Sequence, residues 1–323
     1  MRIATFNVES LDETRGEGPA LEARIKLLAP QIARTDADIL CLQEVNAQKP
    51  RIGRKRVLRA LEALMEATGL GGYDLAFSRN RAGTGPRDIH NVVTLSRYPI
   101  QTTEQLWHDL VAEPRHRFVT GEAAGDDVAL TWDRPVLYTR IEAPGDRLLH
   151  LFNLHLRAPL ACPVPGAKAG QFAWNSVAAW AEGFYMSEIK RAGQALELRL
   201  AIDGVFDADA DALVCVAGDF NCEEHHTPVE IIRGAEENTA NGALAGRVMV
   251  PVEHSLAADR RFTVIHQGRR EMLDHIMVSR ALLGHFQSSD IHNEALTDEL
   301  VGYAAVTASP VSYHAPVVAV FDL

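Results

Sequence analysis

The stretch Val214-Cys215-Val216-Ala217-Gly218-Asp219-Phe220-Asn221 decides how the rest of the chain is read. An apolar run of strand length ends in glycine and then presents a carboxylate and an amide two residues apart. Side chains alternate faces along extended backbone, so Asp219 and Asn221 point to the same side at the strand exit. Five other segments, far apart in sequence, place an acid, amide or histidine at the end of an apolar run. They are Thr5-Phe6-Asn7-Val8, Leu42-Gln43-Glu44-Val45, Asn153-Leu154-His155-Leu156, Met272-Leu273-Asp274-His275 and Ser312-Tyr313-His314-Ala315-Pro316. Any one of them occurs by chance in many proteins. Together they point to convergence on one site, and the check is spatial.

Around these segments, runs rich in Val, Ile, Leu and Phe have strand length: Arg2 to Val8, Ile39 to Gln43, Val92 to Leu95, Val136 to Ile141, Leu148 to Leu154, Leu213 to Ala217, Leu273 to Val278 and Val317 to Phe321. Helical spacing predicts helices over Ala20 to Thr35, Lys55 to Thr68, Trp174 to Phe206 with an interruption, and Pro228 to Arg233. Strands alternating irregularly with helices make an α/β protein. With 323 residues, 47% of them apolar, the chain can bury a large core, and it shows no repeat, low-complexity tract or interdomain linker. The expectation is one domain over residues 1–323, with a loop and helix inserted at about 158–206. Polar segments at Arg81 to Asp88 and Pro159 to Gly170 read as long surface loops, which often carry function.

Lys+Arg number 32 against 43 Asp+Glu, a formal charge of −11. That opposes a strong electrostatic grip on long nucleic acid, although a local basic patch could override it, because fields are screened over about ten ångströms. Cys41, Cys162, Cys215 and Cys222 show no CxxC pairing and sit in mostly apolar contexts, as buried free thiols do. The opening MRIATFNVES enters a strand pattern at once, unlike a secretory signal, and no apolar run approaches the roughly 20 residues of a membrane span. A cytoplasmic protein with no membrane span is expected, and no sequence feature indicates a protein partner.

In their order and gaps, from residue 1 to about the last strand, the six motifs resemble those of the endonuclease/exonuclease/phosphatase superfamily, which includes apurinic endonucleases, pancreatic-type deoxyribonucleases, inositol polyphosphate phosphatases and bacterial sphingomyelinases. The resemblance implies a four-layer α-β-β-α sandwich of two packed, mixed, mostly antiparallel sheets, and a metal-dependent hydrolase of phosphate esters. It implies Glu44 as the main ligand of a divalent cation with Asn7 nearby, and hard ions such as Mg²⁺ or Mn²⁺ prefer such oxygen donors. Asp219 would orient and deprotonate the attacking water, and Asn221 would donate a hydrogen bond to the transferring phosphoryl group. His314, charged by Asp274, would contact the phosphate or move a proton, and His155 would be a second histidine at the scissile phosphate. The chain departs from the family pattern at Tyr313: most members read Ser-Asp-His where this one reads Ser312-Tyr313-His314, which puts metal affinity or the number of ions in question.

Simpler accounts stand beside each residue. Asn7 and Asn221 suit turns, Asp219 a cap, Glu44 an exposed helix start and His155 a satisfied core histidine. These would have to hold independently, six times over. Arg87, Asp88, His90 and Asn91 precede the strand Val92 to Leu95 and the turn Ser96-Arg97-Tyr98-Pro99-Ile100, resembling the family's substrate-side segment. Arg87, His90 and Asn91 are thus candidate substrate contacts, and a capped loop entering a strand explains them too. Arg191 and Gln194, one helical turn apart, either reach a substrate phosphate or face solvent. For His225 and His226 a polar loop is favoured, since consecutive residues rarely face one ion.

The segment Ala158 to Arg191 carries Pro159, Pro163, Pro165, Phe172, Trp174, Trp180, Phe184 and Tyr185. It either walls a pocket for compact esters or packs a helix on the core. The expected substrate is a phosphorylated small molecule or a nucleotide, turned over by a phosphodiesterase or phosphatase. One alternative is a nuclease on DNA or RNA, which the net charge disfavours. The other, motivated by Tyr313, is a weakened member that binds a phosphorylated ligand or a protein.

Overall fold

The computed structural model describes residues 1–13, 19–50, 55–170, 173–300 and 309–323. In chain order its first half forms β1 (Arg2–Leu11), α1 (Leu21–Thr35), β2 (Ile39–Val45), α2 (Arg59–Thr68), β3 (Asp74–Phe77), β4 (Asn91–Ser96), β5 (Ile100–Leu106), β6 (Arg115–Arg117), β7 (Asp127–Ala129), β8 (Val136–Ala143) and β9 (Arg147–His155). The second half forms α3 (Val177–Ala208), β10 (Leu213–Asp219), α4 (Thr227–Arg233), β11 (Val250–Pro251), β12 (Val264–His266), β13 (Arg269–Glu271), β14 (Asp274–Val278), β15 (Phe286–Ile291) and β16 (Val317–Phe321). Each of the eight apolar runs read from the sequence lies on a strand, and each of the four helical segments on a helix.

Two six-stranded sheets carry the fold, in the orders β15-β16-β1-β2-β4-β3 and β11-β14-β10-β9-β8-β5. Each has one parallel pair at its centre, β1 with β2 and β9 with β10, and is otherwise antiparallel. Alternation along the central strands makes the layers. Ile3, Ile39, Cys41, Leu149, Leu151, Cys215, Ala217 and Ile276 point between the sheets and form one core. The alternate residues Ala4, Phe6, Leu40 and Leu42 pack outward against Leu28 and Ile32 of α1 and Leu61 and Leu64 of α2. On the far side Phe152, Leu154, Val214 and Val216 pack against Leu198 and Ile202 of α3 and Val229 and Ile232 of α4. The result is the expected α-β-β-α sandwich, in which both sheets bury both faces.

The interruption expected in α3 is absent, and the helix runs unbroken over 32 residues. Gly193 marks a crossing, not a break: a Cβ there would lie 2.3 Å from the Trp132 ring. Close packing thus offsets the roughly 1 kcal/mol that glycine costs a helix. All four cysteines are buried free thiols. No helix among the described residues is long and apolar enough to cross a membrane.

Candidate active site

The inward-facing alternation of the central strands continues beyond the apolar core to their ends. Along β10 the order Cys215, Ala217, Asp219 keeps one face, as do Leu151, Asn153, His155 along β9 and Val278, Ile276, Asp274 along β14. Register sets Asp219 beside His155 on one side and Asp274 on the other, so three polar groups stand in a row across three strands. Gly218 makes this row reachable: its φ is +147°, and a Cβ there would meet the Leu154 carbonyl oxygen at 2.1 Å.

The facing sheet supplies Asn7 and Glu44. Alternation alone would send Gln43 toward the other sheet, and Gln43 does go there, donating to Asn153 Oδ1 at 2.9 Å. Glu44 reaches the same end through a left-handed backbone, φ 62°, at a register shift between β2 and β4. Such bulges re-aim side chains. Among the described residues, ten other than glycine have positive φ, and five of them, Glu9, Ser10, Glu44, His90 and Asn221, line one cleft. Strained backbone concentrates where a site must be held in shape.

This cleft has a volume of about 520 Å³ and is also lined by His155, Asp219, Tyr313 and His314. Asn7 Nδ2 donates to Asp219 Oδ2 at 2.9 Å and to Glu44 Oε1 at 3.3 Å, while its Oδ1 accepts from Glu9 N at 2.9 Å. In this orientation the Asn7 amide nitrogen braces both carboxylates, and its Oδ1 is turned to the Glu9 N–H. Asn221 N donates to Asp219 Oδ1 at 2.8 Å, and its side chain donates to the Leu156 carbonyl at 3.0 Å. His314 Nδ1 lies 2.7 Å from Asp274 Oδ2, and Asp274 Oδ1 is buried with no donor among the described residues. His155 Nε2 stands 3.4 Å from Asp219 Oδ2 and 3.8 Å from Glu44 Oε1.

The two histidines are driven in opposite directions. Burial, with the charges of Arg134, His90 and His314, holds His155 well below the ordinary histidine value, so it is neutral. Burial would depress His314 too, but Asp274 outweighs it, aided by Asp219 and Glu9, and keeps the ring cationic. Burial and then the negative charge of Asp274 push Asp219 up to about 7. Burial would raise Glu44, but His90, Arg134 and His314 pull it below the usual carboxylate range. Divergent protonation in one cleft marks acid and base assignments.

The donors fit a hard cation. Glu44 is an ionised oxygen donor at the cleft wall, of the kind a hard cation takes, beside a second carboxylate at Asp219. Ligand atoms of Asp219, Asp274 and His314 lie within 4.8 Å of one another. A cationic His314 has no lone pair to give, so this trio reads better as an acid–base group than as a ligand set. Glu223, His225 and His226 also place ligand atoms within 4.8 Å, closer than consecutive residues led one to expect. The Nδ1 of His226 accepts from Glu223 N at 3.1 Å.

Of the weaker candidates, Arg87 and His90 line the cleft. His90 Nδ1 accepts from Arg134 at 3.0 Å, which leaves Nε2, 3.7 Å from Glu44, to carry the proton. Asn91 is buried instead and ties the loop, donating to the carbonyls of Val45 at 2.8 Å and Arg87 at 3.0 Å. Arg191 is buried behind the cleft wall, where it donates to the Asn221 carbonyl at 2.9 Å and pairs with Glu188. Gln194 donates to the Arg134 carbonyl at 2.9 Å.

Among the described residues, the aromatics of the 158–206 segment do not wall the cleft, which that segment reaches with Ala158 and Leu160. Trp180 stacks on Phe184, Trp174 packs on a satellite core, and Phe172 lies outside the described residues. Four residues were missed from sequence. Ser10 donates to Glu44 Oε2 from N at 3.0 Å and from Oγ at 3.1 Å, and Arg24 on α1 donates to the carbonyls of Val8, Glu9 and Ser10. Arg134 donates to the carbonyls of His155 and Leu156, and Asp133 pairs with Arg157 and Lys190. The signal for the last two was a charged pair just before the strand Val136 to Ile141, the same form as the motifs that were read.

The sequence model of the Endonuclease/Exonuclease/phosphatase family matches residues 4–314. No curated protein matches the sequence. Solved structures share the fold. One is an endonuclease/exonuclease/phosphatase from Bacteroides vulgatus, 17% identical, covering 100% of this chain and 98% of that one at a TM-score of 0.60. Another is the mannosyl-6-phosphatase of Bacteroides thetaiotaomicron, 16% identical, covering 100% of both chains at 0.59. A third is a 3′ phosphatase from Neisseria bound to a product DNA hairpin, 16% identical, covering 100% of both at 0.56. With its whole span matched and its fold shared, the chain belongs to the endonuclease/exonuclease/phosphatase family and is an enzyme of the phosphoester hydrolase class.

Proposed function

We propose that the chain is a metal-dependent phosphodiesterase or phosphatase acting on a small phosphorylated molecule or a nucleotide. The observation that carries this reading is the row His155-Asp219-Asp274 facing Glu44 across one cleft, with His155 neutral and His314 cationic. Glu44, braced by Asn7 and Ser10, would hold the ion, Mg²⁺ or Mn²⁺. A divalent cation there would supply positive charge to the phosphate oxygens.

Every other contribution comes from side chains. Asp219, its carboxylate fixed by Asn7 and the Asn221 amide, orients the attacking water and takes its proton. His314, kept charged by Asp274, faces the phosphate and donates a hydrogen bond or a proton. His155 Nε2 would donate to the phosphoryl group, with Arg134 fixing the backbone that carries His155, while the Asn221 side chain, already donating to the Leu156 carbonyl at 3.0 Å and to Asp219 Oδ2 at 3.2 Å, braces the base instead of the phosphoryl group.

The fold carries both a mannosyl-6-phosphatase and a DNA-bound 3′ phosphatase, so it leaves substrate size open. The net charge of −11 and a cleft of about 520 Å³, the size of small-ligand pockets, favour the compact ester. Hydrolysis of a bis-aryl phosphodiester, an aryl phosphomonoester and a DNA duplex, each with Mg²⁺, Mn²⁺ or chelator, tests it. Cation-dependent turnover of a small ester without cleavage of the duplex is expected. Preferential cleavage of the duplex would make the chain a nuclease.

A further inference from the structure

The cleft lining carries the acids Glu9, Glu44, Asp219 and Glu299 and a cationic wall of Arg87, Arg134 and Arg157 gathered around Asp133. In a chain of net charge −11 this concentration of arginine is local. Two of the three are committed. Arg134 donates to two carbonyls and to His90, and Arg157 pairs with Asp133, which Lys190 also holds at 3.1 Å.

Arg87 is different. Its guanidinium lies 5.0 Å over the Trp107 ring, whose other cationic neighbour is Arg81 at 4.9 Å. Its Nη1 is buried with no hydrogen-bond partner among the described residues. Burial and the like charges of Arg134 and Arg81 outweigh Asp133 and pull its pKa down to about 10. Arg87 is half-buried and lines the cleft, and a guanidinium left without a carboxylate partner for Nη1 has the fork geometry that suits a phosphate.

We propose that Arg87, held on Trp107 at the cationic wall, is the subsite for a second phosphoryl group of the substrate, separate from the ester that is cleaved. The favoured substrates are then small bis-phosphorylated compounds, not esters with an uncharged alcohol. The choice of which group is cleaved rests on the hydrolase reading above; the anion subsite does not.

Two measurements on wild type and Arg87→Met, whose side chain keeps an apolar stem on Trp107, test it. Calorimetric titration with inorganic phosphate in chelator is expected to show affinity about tenfold weaker or more in R87M, the loss of one charge-assisted hydrogen bond. Cation-dependent kcat/KM for 1,3-propanediol bisphosphate over its monophosphate is expected to favour the bisphosphate in wild type. That preference should fall about tenfold in R87M and less in R87K, which keeps the charge without the fork.

Equal phosphate affinity in wild type and R87M, or no preference for the bisphosphate in wild type, overturns the subsite. Should R87M not fold, the wild-type preference and R87K still decide. Arg87-dependent phosphate binding without turnover of any ester would keep the subsite and reject the hydrolase reading. Turnover with an unchanged preference in R87M would do the reverse.

Discussion

Asp274 touches both ends of the acid–base system. Its charge helps hold His314 protonated, and after burial it is the main cause of the raised Asp219. The base must be ionised and the imidazole charged, so the rate should rise as Asp219 loses its proton and fall as His314 does. In Asp274→Asn the negative charge disappears: Asp219 then ionises at lower pH, and His314 also loses its proton at lower pH. Both limbs of the kcat/KM–pH profile are expected to move toward acid, and a profile that keeps its limbs would break the assignment. Asp219→Asn or His314→Ala is expected to lower kcat by about 10²- to 10⁴-fold, the usual range for one acid–base group, with an unchanged thermal transition. Near-wild-type turnover in either variant would contradict its role.

At the scale of elements, the site is an extension of the strands that carry it. Gly218→Ala puts a Cβ against the Leu154 carbonyl of the neighbouring strand, so the parallel pair β9–β10 must separate or Asp219 must move. A loss of about 3 kcal/mol in denaturant titrations is expected, from strain and overpacking together. Beneath the cleft, Gln43 donates to Asn153 Oδ1 at 2.9 Å and Asn153 donates to the Val93 carbonyl at 2.8 Å, bridging the sheets. Asn153→Leu leaves one of the two Gln43 amide N–H groups buried without an acceptor, the other still reaching Thr5 Oγ1 at 3.1 Å, and is expected to cost about 1–3 kcal/mol. A variant as stable as wild type would mean that the bridge is not what ties the sheets together.

These elements also show what was legible. Central strands such as Leu213–Asp219 are buried on both faces and read directly as apolar runs, and their polar ends mark Asn7, Glu44, His155, Asp219 and Asp274 as candidates that the fold brings close together. The strand Ile100–Leu106 does not stand out in the sequence: IQTTEQL is polar, with no fully buried residue, lies at a sheet edge and is held by pairing with β8. Ser10, Arg24 and Arg134 were missed because each acts through backbone bends or carbonyls that tertiary structure creates. Asn91 and Arg191 carry the chemistry of ligand-binding residues but hold the loops around the cleft.

For the whole molecule, the pairing of the sheets makes the site: Glu44 and Asn7 come from one, and His155, Asp219 and Asp274 from the other. The site therefore forms only when the sandwich closes, and a cation at its acidic side would offset that charge as a phosphate enters. Glu44 is proposed to hold this cation, and a Mg²⁺ and Mn²⁺ titration of phosphodiester hydrolysis by wild type and Glu44→Gln tests that role. Removing the ligand's charge weakens cation binding. Chelator is expected to silence both proteins, and E44Q to lose activity at low metal and recover part of it at high metal. Turnover that survives chelator, or superimposable metal curves for the two proteins, would contradict the account.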